Sequence, residues 1–125
     1  MKKIIIKAGD RTFEARLLET ETAKEIYNAL PIEGYAQTWG DEIYFSVPVG
    51  VDKEQGAKEE VEIGDLAFWP PGSAFCIFFG PTPVSSGNKP CAASPVNVFG
   101  KIEGKTDALK TVNSGDLIKV IKKIK

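Results

Sequence analysis

Short β-branched, apolar or alternating runs broken by turn residues fill most of this chain, and one early segment keeps a clear helical spacing. Residues 2–7 are rich in β-branched side chains, and residues 8–10 (Ala-Gly-Asp) supply turn chemistry. Residues 12–17 continue as an extended second arm, so the chain opens with a hairpin. Thr22 followed by Glu25 matches a capping box, in which a hydroxyl and a carboxylate satisfy free amides at a helix start. Ala23, Ile26, Tyr27 and Leu30 then share one helical face, and Pro31 forbids continuation. A short amphipathic helix is predicted there, lying as a lid on something apolar.

Residues 35–39 and 42–49 read as a second hairpin around Gly40-Asp41, a tight-turn pair. Residues 51–60 are polar and read as an exposed loop. Residues 61–70, interrupted by Gly64-Asp65, give a strand pair or one strand with a bulge. Pro70-Pro71-Gly72 forces a turn, and residues 73–79 are nearly all apolar, as in a buried central strand. Residues 80–95 hold four prolines and read as a long loop. A strand over 96–103, a short helix over 106–112 and a final strand over 116–124 complete the reading. Strands outnumber helices, which predicts a mainly β fold: a closed barrel of about eight strands, capped by two short helices and filled by side chains.

A chain of 125 residues suits a single domain spanning 1–125. The formal net charge of -1 argues against a nucleic-acid partner, which calls for a basic excess. No run approaches the roughly 20 apolar residues of a membrane span. The start MKKIIIK is too short in apolar residues for a signal peptide, so a cytoplasmic location is the expectation. Lys and Glu dominate the charged residues, a usage resembling that of thermophiles. Cys76 lies in an apolar run and Cys91 in a loop-like stretch, and both are expected as free thiols. Lys119, Lys122, Lys123 and Lys125 read as lysines protecting a terminal edge strand.

The chain has no histidine, which excludes a Ser-His-Asp triad, a Cys-His pair and a His-rich zinc site. No metal or other cofactor is expected. Arg11 and Arg16 carry the only guanidinium groups. Candidate chemistry is aromatic instead: Trp39, Tyr44, Phe45, Phe68, Trp69, Phe75, Phe78 and Phe79 come from three neighbouring strand segments. They form either a core or an apolar groove. In residues 42–47, Glu42, Tyr44 and Ser46 share one face, while Ile43, Phe45 and Val47 share the other. The second set is the better core candidate, which leaves Tyr44 and Glu42 to face a cleft. Buried beside Trp39 and Tyr44, Glu42 would have a raised pKa and could act as a general acid or base; in a solvated turn it would do neither.

Three stretches in order, residues 22–30 (TAKEIYNAL), 72–77 (GSAFCI) and 96–104 (VNVFGKIEG), resemble the cyclophilin family of peptidyl-prolyl isomerases. Residues 39–45 (WGDEIYF) also resemble small bacterial and archaeal cyclophilin-like proteins of unknown function. The resemblance implies the barrel fold and, in typical members, a guanidinium on the strand after the first helix. Here Phe45 or Val47 stands at that position, Ala74 and Cys76 flank Phe75, and Val96 and Cys91 replace a histidine and a tryptophan. The expected function is therefore a cyclophilin-fold binding protein. It would hold a small apolar ligand or extended peptide in an aromatic cleft of Trp39, Phe45, Phe68, Phe75 and Phe78. The alternatives are a slow prolyl isomerase, or an enzyme moving protons through Glu42 and Tyr44. A structural subunit assembling through an exposed terminal strand is a third expectation, with the oligomeric state left open.

Overall fold

The structure, a computed structural model, describes residues 2–124. Ten strands make one mainly antiparallel sheet: β1 (Lys3–Ala8), β2 (Arg11–Leu17), β3 (Ile32–Tyr35), β4 (Gln37–Thr38), β5 (Glu42–Ser46), β6 (Lys58–Glu60), β7 (Asp65–Trp69), β8 (Ala74–Phe78), β9 (Cys91–Glu103) and β10 (Leu117–Lys122). Their order is β3-β10-β1-β2-β9-β7-β8-β5-β4, with β6 pairing β9 outside this path. The one α-helix among the described residues, α1 (Glu21–Ala29), packs against β9.

The alternation read from the sequence places one face of every long strand in the interior. Ile4, Ile6 and Ala8 of β1 join Phe13, Ala15 and Leu17 of β2, and Ile118 and Val120 of β10, in one core. Ile43, Phe45, Leu66, Phe68, Phe75, Ile77 and Phe99 complete it from the opposite side. Phe45 stacks on Phe75 with ring centroids 5.0 Å apart, and Phe75 meets Phe99 edge to face at 5.1 Å. Each such fully buried ring stabilises the fold by roughly 1.5–3 kcal/mol relative to exposure.

Several expected elements are corrected. Ten strands replace eight, because residues 32–38 divide at Ala36 into β3 and β4, and residues 58–60 of the expected loop add β6. The Ala36 amide donates to the Asp116 carbonyl, and its own carbonyl accepts from Gly115. The second expected helix is a 3₁₀ turn, Asp107–Thr111, preceded by Thr106, whose side chain makes no capping bond. So short a segment cannot offset the cost of starting an α-helix. Among the described residues no ladder joins the two ends of the strand order. The ends are nonetheless consecutive in sequence, with one residue between β3 and β4, and Gly34 of β3 sits against the Phe45 ring. A Cβ on Gly34 would lie 2.8 Å from that ring.

The helix is capped two residues earlier than expected. Thr20, not Thr22, accepts from the Ala23 amide (3.1 Å). Thr22 is instead fully buried, where its hydroxyl and amide meet the Glu54 carboxylate and its oxygen accepts from Asn97. The long loop is shorter than expected, since β9 starts at Cys91. Pro95 is tolerated within it because the β6–β9 register slips between Cys91 and Val96. β10 is not an edge: it pairs β1 on one side and β3 on the other, which removes the exposed terminal strand expected as an assembly surface. Lys119 pairs with Glu33 and Lys123 with Glu14, and Lys125 lies outside the described residues.

Candidate functional site

On the outer face of the sheet, the other half of the alternation builds a second, smaller apolar cluster. Ala74, Cys76 and Phe78 of β8 lie beside Ala67 of β7, with Val61, Ala92 and Val96 folded over them. Tyr44, Trp69 and Val98 pack at its margin. Large residues face the core and small ones face outward along Ala74-Phe75-Cys76-Ile77, so the cover does not fill the outer face. A concavity of about 270 Å³ remains, lined by Trp39, Glu42, Tyr44, Trp69, Ala74, Cys76, Ala92, Ala93 and Val96.

Local structure holds each aromatic wall. Trp39 precedes the turn at Gly40, whose φ of 61° favours glycine and whose absent Cβ leaves room for Thr82, 2.8 Å from where it would lie. The turn is fixed by the Asp41 amide donating to Pro81 and the Phe79 amide donating to Asp41 (both 2.9 Å). Tyr44 pairs with Cys76 across β5 and β8, and its hydroxyl donates to Gln37 (3.2 Å). Trp69 ends β7, its ring lying where a Cβ on Gly72 would approach within 2.7 Å. Its indole nitrogen donates to the Ser94 hydroxyl (2.7 Å).

Glu42 supplies the charge. Only 6% of it is exposed, and among the described residues no ammonium or guanidinium pairs with it. Burial pushes its carboxyl up to about 7, an effect that the neighbouring Cys76 thiol partly opposes. Burial, reinforced by the Glu42 charge, raises the Cys76 thiol well above its ordinary range. Cys76 is thus a neutral lining group, not a nucleophile. Both cysteines are free. Among the described residues no three His, Cys, Asp or Glu side chains gather in a way that could hold a metal ion.

The structure brings Trp39, Glu42 and Tyr44 to one concavity. It places Phe45, Phe68 and Phe75 in the interior core, and this corrects their expected role as cleft residues: strand parity turns them to the opposite face of the sheet. Phe78 has the outward parity but is fully covered, beneath the outer cluster and away from the lining. Trp69, one of the aromatic candidates, lines the concavity too, and Ala74, Cys76, Ala92, Ala93 and Val96 line it without having been expected as cleft residues. The small-large alternation of residues 74–77 was the available signal. Arg11 bonds Thr111 and Arg16 lies near Glu103, and neither lines the concavity.

The chain matches the Cyclophilin-like family over residues 2–121 and belongs to it. It is similar to a hypothetical protein from Archaeoglobus fulgidus whose solution structure is known, at 41% identity with a TM-score of 0.81, covering 98% of this chain and 95% of that one. It also shares the fold of McbB, solved in complex with tryptophan, at 12% identity and a TM-score of 0.73; the alignment covers 98% of this chain and 45% of McbB. No curated protein matches. No helix among the described residues is long and apolar enough to cross a membrane.

Proposed function

We propose that this chain is a cyclophilin-fold binding module that holds a small, largely apolar molecule in the outer cleft. The observation that carries this is the cleft's make-up: about 270 Å³ walled by Trp39, Tyr44 and Trp69, floored by Ala74 and Cys76, with Glu42 as its one charged group. An apolar cavity of about 150 Å³ accepts benzene, so this space suits a one- or two-ring compound or one bulky side chain of an extended peptide. McbB, which shares the fold over 45% of its length, was solved in complex with tryptophan, a molecule of that size. In this reading the whole chain acts as one cytoplasmic domain. In the same reading β3 and β4, one residue apart, bring the two ends of the sheet together into a cylinder, with Gly34 packing on Phe45 in place of a ladder.

A calorimetric titration with indole tests the proposal. Saturable binding is expected in the native chain, with weakening of at least about tenfold in Tyr44→Ala while the variant still melts cooperatively. Absence of saturable heat from the native chain contradicts it.

One observation favours a second reading. A carboxyl titrating near 7 in an apolar cleft is suited to proton transfer at neutral pH, with Glu42 as acid or base. The Tyr44 hydroxyl, committed to Gln37, would then position substrate. Prolyl isomerisation has less support, since no guanidinium lines the cleft and loss of one preorganised donor costs about 10²–10³ in rate. A prolyl-peptide assay at micromolar protein is expected to show no rate above background.

A further inference from the structure

Building on the reading of the cleft as a ligand site, we propose that its ligand is an organic ammonium, with the cation lying against Trp39, Tyr44 and Trp69 and beside the Glu42 carboxylate. Three rings from three places in the sequence, the turn after β4, β5 and β7, converge on one concavity with one acid and no base. Aromatic faces attract cations through their ring quadrupoles, and sites of several rings recognise alkylated ammonium groups for this reason. Apolar walls strengthen that attraction by excluding water.

The rest of the chain sharpens the contrast. Elsewhere, the half-buried Tyr27 already has its cations: the ammonium groups of Lys2 and Lys122 lie 5.0 and 4.7 Å from its ring centroid. No lysine or arginine is recorded over Trp39, Tyr44 or Trp69 among the described residues. Glu14, Glu62 and Glu103 likewise have lysine partners, whereas Glu42 has none. The cleft's one carboxyl and its three rings are thus left without a cation from the described residues. A neutral apolar ligand can sit beside the protonated acid but leaves Glu42 without a counter-ion once it ionises, and an anionic one would be repelled. An alkylammonium satisfies rings and carboxylate together, and a head group of four to five heavy atoms fits the space.

Choline and its uncharged carbon isostere, 3,3-dimethyl-1-butanol, separate charge from shape. The test is equilibrium titration of the native chain and Glu42→Gln by calorimetry, with tryptophan fluorescence as a second readout, at pH 8 and pH 5.5. Choline does not titrate in this range. Of the groups facing Glu42, the Cys76 thiol on β8 is raised and stays neutral across it, Tyr44 on β5 is the other ionisable neighbour, and the linings contributed by β7 and β9 carry no charge. The expected result is choline binding about tenfold or more tighter than the isostere at pH 8. That preference should shrink at pH 5.5 and be lost in Glu42→Gln, while the melting temperature of the variant is not lowered. Equal or tighter binding of the isostere overturns the ammonium assignment and leaves an apolar site standing. Failure of both probes and of indole to bind the native chain overturns the ligand site itself.

Discussion

The indole nitrogen of Trp69 donates to the hydroxyl of Ser94 at 2.7 Å, tying one wall of the cleft to the arm that opens β9. β7 and this part of β9 are not paired by a ladder, which begins only at Asn97. The side-chain bond therefore sets the width of the cleft at that end. Ser94→Ala is expected to cost about 1 kcal/mol of stability, the usual net value of such a bond. Its larger effect should fall on indole affinity, read by calorimetry beside a urea melt, because the freed ring can swing.

Stability should fall as pH rises through the range in which Glu42 ionises. Its carboxyl titrates near 4.5 when exposed in the unfolded chain and at about 7 when folded. Between those values the native state binds more protons than the unfolded one, so the slope of unfolding free energy with pH is negative. At one pH unit per 1.36 kcal/mol the contribution is at most about 3 kcal/mol, and water entering the open cleft reduces it. Urea melts at pH 5 and pH 8 are expected to show this loss in the native chain and its absence in Glu42→Gln.

Phe75 and Tyr44 should separate core from cleft. Phe75→Ala removes a ring that stacks on Phe45 and meets Phe99, at an expected cost of about 3–5 kcal/mol. Tyr44 is half-buried at the rim, so Tyr44→Ala should cost no more than about 1 kcal/mol while abolishing most binding. Thermal melts of the two variants check the order.

Asn97 acts as a buried latch for the segment 52–54. Its side chain donates to the Asp52 carbonyl (3.0 Å) and to Thr22 (3.2 Å), and accepts from the Glu54 amide (2.8 Å). Asn97→Ala leaves these groups short of partners at an expected cost of about 1–3 kcal/mol. Amide exchange should accelerate at Glu54 and its neighbours before it does in β1 or β10.

The fold was legible wherever alternation was long and uninterrupted. β1 is marked by its β-branched run and β2 by its alternation, and the parity of residues 42–47 separates Glu42 and Tyr44 from Phe45. Two kinds of feature were hidden. Tertiary bonds relocated local signals: Thr22 looked like a cap but is drawn into the Asn97–Glu54 network, leaving Thr20 to cap the helix. Register across the proline turn was also invisible, so Phe68 and Phe75 could not be told from Trp69 by composition. Their pairing across β7 and β8 decides it, with Phe68 opposite Phe75 inside and Trp69 opposite Ala74 outside. The cleft depends on what is small rather than what is large, and Ala74 and Cys76 show in the sequence only as the small partners of Phe75 and Ile77.

The most direct measurement is an amide and indole NMR titration of the native chain with indole. Saturable shifts clustered at Glu42, Tyr44, Ala74, Cys76, Val96 and the Trp69 side-chain NH, with β1 and β10 unmoved, are the predicted result. No saturable shift, or shifts gathered instead around Leu17, Ala23 and Tyr27 beside the helix, would contradict the account.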